Sequence, residues 1–368
     1  LAITSIFMDI KPLDFSNFQE GAARLSRAMT GMADRVPVFA QLHEFAAEHF
    51  GIPRREFFTR PDLSVPALLQ VQRDFGIDVA SVTFDVYNIE AEALGQAMVW
   101  ADDGMPDVDR NRPLVRDRRD LAKIRTPDFD TAGRFQQVIR MSTLFKEMTG
   151  LEPSLSFCAP FSLAANLRGI ERLLLDMHED PEFARGLMEA ITEEVLVPWI
   201  LYQRRRFPGS TSISGADATA SLPIVNLTIL RHWVIPSIQR LRELCGPEVY
   251  VANWSGERYL PNPTEMLGLK MAVGPGALWA QDPDVEALGP ALFKKFAVAH
   301  EAPLILGAGA GFLALATPAD IEARVRNYVE VGGRGGRFAL YLCNLGATTP
   351  PENLQAAVET AHAVPPQP

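Results

Sequence analysis

The chain has 368 residues, 47% hydrophobic and 22% charged, a balance that excludes a disordered or fibrous chain. Its net charge of −10 excludes the basic face that a nucleic-acid partner needs and says nothing against a small ligand. Three widely spaced cysteines, Cys158, Cys245 and Cys343, cannot build a disulfide framework. They point to a reducing compartment, so a cytoplasmic protein is expected. No run of about 18 apolar residues occurs, so no membrane span is expected. The stretch Leu1 to Phe7 lacks the basic start and small-residue cleavage site of a secretory signal.

In chain order, residues 16–32 place Phe18, Ala22, Leu25 and Met29 at helical spacing, with Ser16 as N-cap. Val36 to Gln41 is a short apolar strand, followed by His43 and a helical stretch that Gly51-Ile52-Pro53 stops. A helix over Asp62 to Phe75 closes at Gly76. Val79 to Phe84 then reads as a buried strand, with Asp85 at its end and Tyr87, Asn88, Glu90 and Glu92 just after it. Asp102 to Asp130, with Pro106, Pro113, Pro127 and many Arg and Asp residues, reads as a long surface excursion, part of a lid. Strands follow at 154–160, 211–217, 248–254, 277–281, 303–307 and 337–344. Helices run through Leu173 and over 181–206, 227–244, 288–299, 318–331 and 352–362.

About eight apolar strands, each followed by helical pattern, predict a parallel sheet. The expected fold is α/β, a single (β/α)8 TIM barrel over 35–362 with a helical arm over 1–34, making 1–368 one domain. In such a fold the strand ends share one mouth. Its residues are Gln41, His43, Asp85, Tyr87, Cys158, Asp217, Asn253, Ser255, Gln281, Asp282, Cys343 and Asn344, with the Gly307-Ala308-Gly309-Ala310-Gly311 turn. Any one of these alone reads equally as a helix cap. Together they make the polar face where barrels do chemistry.

Several patterns carry less. The Gly307 to Gly311 turn is not a dinucleotide fingerprint, because its third glycine falls one place early and no acidic residue follows at the needed spacing. Gly332 to Gly336 precedes a strand, the wrong order for a phosphate cradle. Arg204-Arg205-Arg206 ends a helix, where cations suit the dipole. His49, His178, His232, His300 and His362 lie in helical context without partners at metal spacing; His43, directly after a strand, is the exception.

Several stretches resemble the uroporphyrinogen decarboxylase superfamily. Asp34-Arg35-Val36-Pro37-Val38 is similar to its first-strand opening, and Glu90-Ala91-Glu92-Ala93-Leu94-Gly95 to its corrinoid-linked methyltransferase branch. Phe157 to Ala164 resembles F-x-x-P-F-[ST]-L-A, and Cys343-Asn344-Leu345-Gly346 with Thr349 to Asn353 resembles the closing strand and helix. The likeness runs from about Asp34 to His362 and implies a (β/α)8 barrel. Departures are as informative. No arginine follows the first strand, and Ala347 stands where the decarboxylases carry His. The zinc-dependent branch has H-x-C-G on the fifth strand; here it reads Asn253-Trp254-Ser255-Gly256, and the third ligand falls near Ala347. Zinc needs soft or imidazole ligands, so none is expected.

The resemblance therefore implies a methyltransferase moving a methyl group from a methoxy or methylamine substrate to a corrinoid (cobalamin) carried by a partner protein. Asp85, Tyr87 and His43 are the expected acid–base groups. Gln41, Asp217, Asn253, Trp254, Gln281, Tyr341 and Asn344 are expected to bind substrate, and Gly307, Gly309 and Gly311 the cofactor. The alternatives are a decarboxylase-like lyase with Asp85 as charge stabiliser, and a barrel that binds ligand without turnover.

Overall fold

The structure, a computed structural model, describes residues 16–101 and 104–365. The side chain of Ser16 and the stretch Leu1 to Phe7 lie outside the described residues. Among these, the strands in chain order are β1 (Val38–Ala40), β2 (Met98–Val99), β3 (Asp107–Val108), β4 (Leu155–Cys158), β5 (Ile213–Ala216), β6 (Val249–Val251), β7 (Leu278–Gln281), β8 (Leu304–Ala308) and β9 (Phe338–Leu342). The chain divides into two compact units. Unit one holds the residues up to Thr83, Arg140–Pro153 and those from Pro303 on; unit two holds Phe84–Ile139 and Ser154–Ala302. No helix among the described residues is long and apolar enough to cross a membrane.

In unit one, β9 pairs in parallel with both β1 and β8, with Leu342 opposite Ala40 and Ala308. Every residue of β8 and β9 is buried, as expected for strands covered on both faces. Asp78 ties three segments together. It accepts from Arg24 Nη1 at 2.8 Å, Arg35 Nη2 at 2.6 Å and the Val38 amide at 3.0 Å, and lies 2.8 Å from His362 Nε2. Burial works against its ionisation, yet these hydrogen bonds hold the carboxyl below the usual range.

The strand expected at Val79 to Phe84 does not form a regular ladder. The cause is a side chain. Gln72 Oε1 accepts from the Ser81 amide at 2.8 Å, and Gln72 Nε2 donates to the Ser81 carbonyl at 2.8 Å. One amide side chain thus takes the place of a strand neighbour for that residue.

In unit two, β4, β5 and β6 pair in parallel, with Cys158 opposite Ala216 and Gly215 opposite Val251. Gly215 has no room for a side chain, since a Cβ would meet Phe157 and Val251 at 2.8 Å. Phe157, Phe161, Leu163, Trp199 and Val251 lie in its core. The helix expected over 181–206 runs as Pro181–Ala190 and Val197–Arg206 around a π-helical turn, Ile191–Leu196. Pro198 has no amide hydrogen to give the Glu194 carbonyl, which accepts instead from Thr126 Oγ1 at 2.7 Å.

That contact belongs to the excursion over 102–130, which is pinned along its described length. β2 and β3 form an antiparallel ribbon, the Val115 amide donates to the Leu167 carbonyl at 2.9 Å, and Arg118 pairs with Asp180 at 2.7 Å. Val108, Val115 and Ile124 enter the core of unit two. This stretch is a strap anchored at many points. Helices that were not anticipated include Arg54–Thr59, Phe135–Thr149 and Thr264–Val273.

Candidate active site

In unit two, the segment after Phe84 brings two polar clusters together. The first centres on Asp85, which is fully buried. Arg134 grips it bidentately, Nη1 to Oδ1 at 2.7 Å and Nη2 to Oδ2 at 2.6 Å. Asn88 Nδ2 adds a third bond at 3.1 Å. Arg134 Nε donates to Glu92 Oε2 at 2.5 Å, and its guanidinium lies 5.1 Å from the Trp100 ring centroid. Burial disfavours the guanidinium's charge, but its bonds to Asp85 and Glu92 outweigh this and raise its pKa. Gly133 makes the approach feasible: its φ is 51°, and a Cβ there would stand 2.9 Å from the Ala93 backbone. Asp85 therefore ends in an ion pair that uses both carboxylate oxygens as acceptors.

The second cluster centres on Tyr87. Its hydroxyl accepts from Asn253 Nδ2 at 2.9 Å and from the Ala218 amide at 3.1 Å. The orientation of Asn253 is set by its other end, since Oδ1 accepts from the Asp217 amide at 2.9 Å. Asn166 Nδ2 holds the Tyr87 carbonyl at 2.7 Å. With two donors on the phenolic oxygen, the hydroxyl's own hydrogen is left to point at a third partner. Burial first, then the nearby Cys158 and Asp217, push the phenol up, so it keeps its proton.

Asp217 is fully buried at the end of β5. Its Oδ1 accepts from the Ser162 amide at 3.0 Å and the Ser162 hydroxyl at 2.9 Å, and Oδ2 accepts from Trp254 Nε1 at 3.1 Å. Burial still pushes this carboxyl up to about 7. Glu90 is also fully buried. Its Oε1 accepts from the Cys158 amide at 3.1 Å, while Oε2 has no hydrogen-bond partner. Burial pushes Glu90 up to about 8, and burial with these two carboxyls pushes the Cys158 thiol up. Near neutral pH, then, the cluster is rich in protons and poor in charge.

The turn after Asn253 is fixed from behind. Asp284 accepts from the Gly256 amide at 2.6 Å and the Arg258 amide at 3.0 Å. Gly256 has φ 116°, and a Cβ there would collide with Leu222 at 2.5 Å, so glycine is required. Glu257 next to it is buried in an ion pair with Lys270.

Of the residues singled out from sequence, Asp85, Tyr87, Asp217, Asn253 and Trp254 lie within these two networks. Gln281, the last residue of β7, and Asp282 belong to the same unit, where Asp282 Oδ1 accepts from the Glu286 amide at 3.2 Å. In unit one, Tyr341 donates to Gln41 Oε1, and His43 Nε2 lies 3.0 Å from Asn344 Oδ1. Gly307 lies inside β8, Gly309 has an ordinary φ of −79°, and a Cβ on Gly311 would meet open space. Sequence reasoning missed Arg134 and gave Glu90 no role beyond its place in the stretch after Asp85.

Comparison with known proteins now bears on these clusters. The family model described as uroporphyrinogen decarboxylase (URO-D) matches residues 21–364. The chain belongs to the uroporphyrinogen decarboxylase family. A methylated-thiol–coenzyme M methyltransferase of Methanosarcina mazei is 27% identical over 190 residues. That match covers 50% of this chain and 49% of the relative, so it spans about half the relative's length. A solved structure of a methyltransferase from Methanosarcina mazei superposes with a TM-score of 0.75 at 19% identity, covering 93% of this chain and 98% of that one. This likeness establishes the shared α/β fold.

The zinc-dependent branch of the URO-D family raises the question of a metal here. Asn253 spends both ends of its amide on Asp217 and Tyr87, and the Ser255 amide and carbonyl are bonded to Ser221 and Leu222. Ala347 has no donor. Among the described residues, no three His, Cys, Asp or Glu side chains are grouped to hold a metal. These donors do not fit zinc.

Proposed function

We propose that this URO-D family protein is a methyltransferase that passes a methyl group from a small methylated donor to a corrinoid carried by a partner protein. Family membership and the half-length likeness to a methyltransferase support the reaction class. The observation that carries the reading is the Tyr87 hydroxyl, which accepts two N–H bonds and so has its hydrogen available for a bound molecule.

Demethylating a small molecule leaves electron density on the atom that loses the methyl group. A donor aimed at that atom lowers the barrier. Tyr87 supplies the hydrogen bond, and Asn253 with the Ala218 amide orients it. Asp217, locked by Ser162 and Trp254, fixes Asn253 through its amide. Asp85 holds the loop through Arg134 and works as a positioning group. The corrinoid supplies the methyl acceptor. Gln281, at the end of β7 in the same unit, is a proposed substrate contact.

A lyase that uses Asp85 to stabilise positive charge fits less well, because Arg134 already neutralises that carboxylate. The test is methyl transfer to cob(I)alamin, followed by corrinoid absorbance, with methoxy-aromatics and methylamines as donors. Transfer from any of them supports the reading. No transfer, together with tight binding of a tetrapyrrole, overturns it in favour of the lyase.

A further inference from the structure

We infer that Glu90 is a positioning residue for the proposed transfer: its buried carboxyl, while neutral, holds the Tyr87 donor in place, and its ionisation disables that donor. The inference rests on the methyl-transfer reading and adds a residue which that reading leaves unused. Glu90 lies on the helix Ile89–Ala93, three residues past Tyr87, and is fully buried. Its Oε1 accepts from the Cys158 amide at 3.1 Å, at the end of β4. The next amide, that of Ala159, donates to the Ala216 carbonyl at 2.9 Å, at the end of β5. Two residues on, the Ala218 amide donates to the Tyr87 hydroxyl at 3.1 Å. These bonds close a ring that runs from Tyr87 through β5 and β4 and back to the helix after Tyr87. Glu90 is the member that ties this helix to the sheet.

The bonding of Glu90 suits one protonation state. Its Oε2 is buried without a hydrogen-bond partner. An ionised carboxylate would thus hold one donor for two charged oxygens, away from water. Asp217 differs, with three donors spread over both oxygens. The groups around Glu90 do not relieve its charge. Asp85, ahead of its helix, opposes a second negative charge, and Arg134 is committed to Asp85 and Glu92. Cys158 on β4 is a thiol that burial, Glu90 and Asp217 together keep protonated. The helix Pro160–Arg168 packs against Ile89–Ala93, and its Arg168 is paired with Asp176. Burial, against the pull of the amide bonds, pushes the Glu90 carboxyl up to about 8. Glu90 therefore changes charge within a range where the protein can be assayed.

That change reaches Tyr87 through Cys158, which interacts electrostatically with both residues. Negative charge arriving here faces the electron density that builds on the departing atom, so the transition state loses stabilisation. The uncompensated carboxylate also favours a shift toward water, which opens the ring at the Cys158 amide. Glu90 touches neither donor nor acceptor of the methyl group in this account. It acts through Tyr87.

The experiment measures kcat and KM for methyl transfer to cob(I)alamin by the full-length protein, with methoxybenzene and trimethylamine as donors. Wild type, Glu90→Gln and Glu90→Ala are compared at about pH 7 and about pH 9, with circular dichroism showing folded protein at each pH. Glutamine keeps an acceptor for the Cys158 amide and cannot ionise; alanine keeps no acceptor. The ratio of the Glu90→Gln kcat to the wild-type kcat is expected to rise about tenfold from the lower pH to the higher, with KM little changed. The ratio cancels the titration of Asp217, which both proteins share. Glu90→Ala is expected to be about tenfold slower than Glu90→Gln at the lower pH, and the glutamine ratio decides alone if alanine does not fold. A ratio constant within about twofold, or alanine as fast as glutamine, overturns the inference and leaves methyl transfer standing, because a purely structural Glu90 would move melting and not this profile. No transfer by wild type at either pH overturns the methyl-transfer reading instead. Infrared spectroscopy then judges Glu90 alone. A protonated-carboxyl band in wild type at neutral pH that Glu90→Gln lacks supports the neutral buried acid, and identical spectra overturn it.

Discussion

Asp85 and Tyr87 stand two residues apart, yet their hydrogen-bonding states are opposite. Asp85 is closed: its oxygens take three N–H bonds from Arg134 and Asn88. Tyr87 is open: its oxygen is filled and its hydrogen is not. The carboxylate is the more reactive group on paper, but chemistry needs a group with something left to give. The difference comes from partners distant in sequence, Arg134 for one and Asn253 for the other. Asp78 in unit one repeats the closed pattern, with Arg24, Arg35 and His362 around it. Buried aspartates in this chain are thus used twice to fasten segments.

The sharpest way to break this comparison is to remove the closed group. Asp85→Ala leaves a buried guanidinium without its main partner and is expected to cost about 3–5 kcal/mol of stability, read from urea unfolding. A loss below about 1 kcal/mol would mean the pair is not the fastener described here. Next in size is Glu90→Gln. The buried acid has a folded pKa of about 8 against an ordinary 4.5. Between these values the folded state binds more protons than the unfolded state, so rising pH lowers stability, by up to about 1.4 kcal/mol per pH unit. Glutamine stays neutral and keeps an acceptor for the Cys158 amide. The variant is expected to melt higher than wild type at pH 8 and near it at pH 5. Equal melting curves at both pH values would place Glu90 in a more solvated setting.

Smaller effects probe the open group. Asn253→Ala frees the Tyr87 hydroxyl to rotate and is expected to lower kcat about tenfold, near 1.4 kcal/mol in the barrier, with KM little changed. Tyr87→Phe is expected to cost about 1 kcal/mol or less in unfolding, because it removes hydrogen bonds at a half-buried ring and no charge. A loss as large as that of Asp85→Ala would merge the two residues into one structural role.

Much of this is legible in the sequence. Tyr87, Asp217 and Asn253 were placed together by strand-end logic, and hydrogen bonds join them, with Trp254 donating to Asp217. The parallel α/β class followed from unbroken apolar runs such as Pro303 to Gly307. What stayed hidden was which polar groups would be satisfied. Arg134 precedes a helix whose apolar spacing, Phe135, Val138, Ile139 and Phe145, was readable but fell just past a polar excursion. Glu90 stood out only as one of several polar residues after Asp85, and only tertiary packing buries it completely. The strand at Val79 to Phe84 failed because the Gln72 side chain supplies hydrogen bonds that a neighbouring strand would give, and propensity carries no trace of that.

The central claim is that the Tyr87 hydroxyl, and not the Asp85 carboxylate, assists the departing atom. The kcat for methyl transfer to cob(I)alamin by folded Tyr87→Phe, at saturating methoxy-aromatic donor, tests it most directly. A fall of about 10²-fold relative to wild type is predicted, the scale of losing one oriented donor. A rate equal to wild type would contradict the account.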